Sequence, residues 1–124
     1  MFTAIRARWF EARVRAELKA QHNDQAFVNA AFKRLDIARE MERMRGSALA
    51  RGKPGAFLIA CKVLAINAAD PENDPVTQML CASLLSARLQ KARSNPSFHD
   101  AFSGYLDEVE TLSHDAIGRN RGVT

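Results

Sequence analysis

The sequence predicts an all-α fold: a single-domain bundle of about five helices around a central apolar hairpin. Three observations carry this. The 124 residues contain only 6 Gly, 4 Pro, one Trp and one Tyr, and Ala, Leu, Arg and Glu are abundant, which favours helix over sheet. No run alternates apolar and β-branched residues between turn signals, as a strand requires. And Ala56 to Arg93 reads as an apolar helix, a short acidic turn and a second apolar helix. A helix apolar nearly all round must be covered nearly all round.

The helices are expected over about residues 2–21, 24–51, 55–69, 75–93 and 96–117. The first carries Phe2, Ile5, Trp9, Ala12, Ala16 and Ala20 on one face. Phe10, Val14 and Leu18 form a second stripe beside it, and Arg8, Arg15 and Lys19 gather on the remaining face. Two apolar stripes call for two neighbours, one of which can be another subunit. The small Ala ridge allows a neighbouring backbone to approach closely.

His22-Asn23-Asp24 is a break in which Asn23 or Asp24 can cap the second helix. That helix carries Phe27, Ala31 and Leu35 on an early stripe, and Ile37, Met41, Met44 and Ala48 on a later one. The periodicity crosses Gly46, so one long helix is expected to run to about Arg51, with a break at Gly46 as the alternative. Gly52 followed by Pro54 is the expected stop, and Gly52-Lys53-Pro54-Gly55 reads as a plain turn.

In the third helix Phe57, Cys61, Leu64 and Ala68 make one stripe and Ile59, Val63 and Ile66 another. Lys62 is the single charge on this helix and is expected to reach solvent along its own stem. Pro71 biases Asp70 away from helix. Asp74-Pro75 reopens one, with Asp74 as cap and Pro75 in the first helical position. Leu80 and Leu84 then share a side with Val76 and Ala87, while Cys81, Leu85 and Leu89 take another. Asn95-Pro96 repeats the punctuation, and Phe98, Phe102, Tyr105, Val109, Leu112 and Ala116 follow at helical spacing. Gly118 is the expected end, so residues 1–118 form one domain and 119–124 a frayed tail.

Residues 1–53 carry 12 Lys/Arg against 6 Asp/Glu, whereas residues 94–124 carry 2 against 5. A basic front and an acidic rear can balance within one molecule or between copies. Cys61 and Cys81 sit in apolar helices, which is thiol usage typical of a reducing compartment, and a cytoplasmic location is expected. No apolar run reaches the length of a membrane span.

No catalytic or cofactor motif emerges. No Glu has a His three residues later, as a di-metal bundle needs, and Glu110–His114 alone do not make a metal site. Two Cys without a Cys-x-x-Cys spacing give neither a zinc cluster nor a redox motif. Ser83, Ser86 and Ser103 lie within helices with no elbow around them. An enzyme is therefore not expected, and no cofactor or metal is assigned. The expected function is that of a small helical adaptor or regulator acting through protein–protein contact, as a homo-oligomer, most simply a dimer. The candidate contact residues are Trp9 and Phe10 on the first helix and Met41 and Met44 on the second. The alternative is a nucleic-acid-associated regulator that meets phosphate with Arg8, Arg15, Lys19, Arg39 and Arg43. Against it, acids interleave these cations on the second helix, and no aromatic stacking residues share the basic face.

Overall fold

A computed structural model describes the backbone over residues 2–43 and 52–122, and side chains over 8–40, 42–43 and 54–114. The fold is all-α, and no strand occurs among the described residues. The chain divides into two compact units, Met1–Val63 and Leu64–Thr124, and the division falls inside one continuous helix.

In the first unit α1 spans Phe2–Gln21, α2 Gln25–Ala31, a 3₁₀ turn Phe32–Arg34 and α3 Ile37–Arg43. Helix α4, Gly52–Ala69, begins here. Of the two apolar stripes on α1, the chain buries Phe10, Val14 and Leu18, spaced four apart, and α1 packs on α2 and α3. Val28, Ala31, Phe32 and Ile37 join this core, as do Ala56, Leu58, Ile59, Ala60, Cys61 and Val63 of α4. Arg15 ties α1 to α2. It donates to Asn29 Oδ1 at 2.8 Å and to Glu11 Oε1 at 3.4 Å, and its guanidinium lies 4.5 Å over the Phe32 ring.

The long second helix expected over 24–51 is two helices with a break between them. Asp24 caps α2 as the sequence implied, accepting from the N–H groups of Ala26 and Phe27. The helix tightens into the 3₁₀ turn and stops at Leu35, whose backbone is extended at φ −130° and ψ 122°. Asp36 then starts α3, its Oδ1 accepting from the Arg39 N–H at 3.1 Å. The change of apolar stripe between Leu35 and Ile37 is thus the mark of this break. An Asp side chain competes for backbone donors and so favours a helix start over a helix interior. Gly46 lies outside the described residues.

Helix α4 also starts earlier than expected, at Gly52. Pro54 is accommodated because the N–H groups of a helix's first turn have no partner within the helix, so a residue lacking one loses nothing there.

In the second unit α4 continues from Leu64 to Ala69, followed by α5 (Pro75–Arg93), α6 (Pro96–Ala101) and α7 (Ser103–Gly122). The α4–α5 link is closed by local hydrogen bonds. Asn73 Nδ2 donates to Asn67 O at 2.9 Å, and Gln78 Nε2 donates to Asp70 O at 2.7 Å. Asp74 caps α5 with Pro75 in its first turn, and its carboxyl accepts from both the N–H and the hydroxyl of Thr77 at 2.8 Å. Those bonds hold the Asp74 carboxyl below its ordinary value. The face that α5 buries is Cys81, Leu85, Leu89 and Ala92, with Arg88 among them; Val76 and Met79 stay exposed.

The final helix, expected as one over 96–117, is interrupted at Phe102 (φ −123°, ψ 22°). Asn95 caps α6 as expected, accepting from the Phe98 N–H. The interruption falls just before Ser103-Gly104, a pair of weak helix formers and a common site of helix bending. The rings of Phe98 and Phe102 meet edge to face across it, with centroids 4.9 Å apart. Tyr105, Leu106 and Val109 form the buried stripe of α7, which continues past Gly118 to Gly122. A lone helical Gly costs about 1 kcal/mol relative to Ala, too little to end a helix by itself.

Candidate interaction surface

The other stripe of α1 is exposed from Trp9 to Ala20. Trp9 is 57% exposed, and Ala12, Ala16 and Ala20 are exposed along the same side of the helix. Successive positions at three and four residues place these side chains one above another. The Arg13 guanidinium lies 4.5 Å over the Trp9 ring, a cation–π contact one turn along the helix. Below Trp9 a shallow groove of about 340 Å³ runs between α1 and the start of α4, lined by Arg13, Ala16, Glu17, Ala20 and Ala56. Its described lining is thus three alanines with Arg13 and Glu17.

Of the expected contact residues with described side chains, Trp9 is placed on this surface. Phe10 points about 100° away around the helix and is buried in the core of the first unit. This corrects the expectation for Phe10: a side chain 2% exposed has no surface to offer a partner in this fold. Met41 belongs to α3, but its side chain lies outside the described residues, as does the whole of Met44. Arg13 and Ala56 were not anticipated as neighbours of this stripe. Helical spacing relates Arg13 to Trp9 and Ala16, but only tertiary packing brings Ala56 beside them.

The expected basic face is partly committed within the chain. Arg15 is held by Glu11, Asn29 and the Phe32 ring, and Arg43 pairs with Glu40 at 2.7 Å. Arg8, Lys19 and Arg39 are exposed.

Lys62 does not reach for solvent as expected. Its Nζ lies 2.8 Å from Glu40 Oε1, and the two side chains are only 10% and 7% exposed. A carboxylate within reach replaces the hydration that the ammonium loses, so the stem stays inside. Burial pushes the Glu40 carboxyl up, but hydrogen bonds from Arg43 and Lys62 and their positive charge outweigh this, and the carboxyl is held below its ordinary value of 4.5. Sequence held one half of the signal, the lone charge on an apolar helix. The other half is that Glu40 lies three residues after the buried Ile37, on the same side of α3. The cluster joins α3 to α4.

Among the described residues no group of three or more His, Cys, Asp or Glu is placed to hold a metal ion. Cys61 and Cys81 are each buried free thiols. Glu110 is bonded to Arg93, on α5, instead of forming a site with His114. No described helix is long and apolar enough to cross a membrane. No family model, curated protein or solved structure matches this chain.

Proposed function

We propose that this chain acts by protein–protein contact, as a small helical adaptor or regulator, through the exposed face of α1. The observation that carries the reading is Trp9, 57% exposed and in cation–π contact with Arg13, at the head of an exposed Ala12–Ala16–Ala20 row with a groove beneath it. Trp and Arg are among the residues most enriched at the anchor points of interfaces. The commitment of Arg15 and Arg43 to partners within the chain leaves fewer cations for a phosphate backbone and favours this reading over nucleic-acid binding.

The test is site-specific photo-cross-linking in the cells that make the protein, with the reactive side chain at Ala16 or, as control, at Lys19 on the basic face. Protein adducts from position 16 and none from position 19 are expected. Nucleic-acid adducts from position 19, with none of either kind from position 16, would overturn the reading.

A further inference from the structure

We infer that α5 carries a second contact surface, separate from that of α1, and that its occupant is another copy of the chain paired antiparallel along α5. Val76 and Met79 are 76% and 72% exposed, more than Trp9 at 57%. They head a longer row. Val76, Met79, Ser83, Ser86 and Gln90 follow at spacings of three, four, three and four, and all five are exposed. This is the spacing at which one helix meets another along a seam. The row runs about 21 Å along the helix and carries no charge. The opposite side of α5 is already used, with Cys81, Leu85 and Arg88 buried. An outer helix face that meets only water usually carries charged residues. Helix α5 has none before Arg88, which is buried.

Along the row the side chains pass from large to small, Val76 and Met79 first, then Ser83 and Ser86. That order suits an antiparallel mate. A twofold axis through the level of Cys81, perpendicular to α5, leaves Val76 and Ser86 each about 7.5 Å from the centre along the helix, and Met79 and Ser83 each about 3 Å. Val76 of each copy then meets Ser86 of its mate, and Met79 meets Ser83. Every large side chain lies over a small one, and all four contacts form at once, as an isologous interface requires. The helices can then pack at the usual 8–10 Å between axes. The ends agree with the middle. Glu72 stands in the turn before α5 and Lys91 in its last turn. Both are exposed, and neither is in an ion pair among the described residues. Antiparallel pairing brings Glu72 of each copy toward Lys91 of the other. Parallel pairing would set Val76 on Val76, Ser86 on Ser86 and Lys91 on Lys91, and would lose both matches.

The experiment uses the purified full chain. Sedimentation equilibrium should show a monomer–dimer equilibrium. Met79→Glu places two acids about 6 Å apart along the seam and should weaken the dimer about tenfold or more. Circular dichroism of this variant separates lost association from lost folding. Disulfide trapping reads the geometry. In a dimer of Val76→Cys alone, or of Ser86→Cys alone, the new thiols stand about 15 Å apart along the axis, beyond the roughly 7 Å between Cα atoms that a disulfide can bridge. With oxidised glutathione neither variant should cross-link by itself, whereas an equal mixture of the two should. The unsubstituted chain, whose two thiols are buried, serves as the control and should give no cross-link. A chain that stays monomeric at every concentration, or a dimer indifferent to Met79→Glu, would overturn the self-pairing. Cross-linking of either variant alone, or a dimer whose mixture gives none, would overturn the antiparallel arrangement.

Discussion

Replacing the two halves of the Lys62–Glu40 pair, singly and together, should expose a strong coupling. The charges lie 2.8 Å apart and are both nearly buried. At that distance an effective dielectric of about 20 gives an attraction of about 6 kcal/mol. Desolvation takes back several kcal/mol for each ion, so the pair as a whole stabilises little compared with apolar side chains of similar size. Removing only one partner is different, because the other keeps its desolvation cost. Glu40→Leu takes the carboxylate from a buried ammonium and should cost about 3 kcal/mol. Lys62→Met should cost less, about 1.5 kcal/mol, because Glu40 keeps the half-exposed Arg43 at 2.7 Å. The double variant should be no less stable than Glu40→Leu alone, a coupling of about 1.5 kcal/mol or more. Urea unfolding followed by far-UV circular dichroism measures all four corners. A double variant whose loss equals the sum of the singles to within about 0.5 kcal/mol would refute the account, because it would mean that the two charges do not sense each other.

The same pair sets a pH dependence. The folded Glu40 carboxyl titrates below its unfolded value of 4.5, so its stabilisation is fully present above 4.5 and is lost as pH falls through the folded value. The stability difference between the unsubstituted chain and Glu40→Gln should therefore be constant near neutrality and shrink below 4.5 in acid urea titrations. On α1, Leu18→Ala should cost about 3 kcal/mol, because it empties a fully buried site, whereas Trp9→Ala should change monomer stability by no more than about 0.5 kcal/mol. Urea melts distinguish the two, and a large Trp9 effect would place the indole in the core. Asp36→Ala removes the acceptor for the Arg39 N–H and should cost about 1 kcal/mol, with faster amide exchange confined to the first turn of α3.

Local chemistry determined the helices and most of their ends. Asp24, Asp74-Pro75 and Asn95-Pro96 start helices wherever they occur, because a short polar acceptor beside free backbone donors, or a ring already set to helical φ, acts without help from distant residues. The burial of α4 was equally legible, since a helix that is apolar nearly all round has no face to show to water. Periodicity misled where it carried an apolar stripe across Leu35 and Phe102. Side-chain spacing alone does not register one backbone residue leaving the helical basin, and the nearby Asp36 and Ser103-Gly104 were the local signs of it. Two features were decided only by tertiary structure. Both stripes of α1 are apolar, and packing against α2 and α3 buried Phe10, Val14 and Leu18 while leaving Trp9 and the Ala row exposed. Lys62 could equally have reached water, and it was the placement of Glu40, 22 residues earlier, that turned it inward. Both outcomes depend on which surfaces lie within a few ångströms once the chain has closed. Sequence spacing fixes direction around one helix axis, but not what waits on the other side.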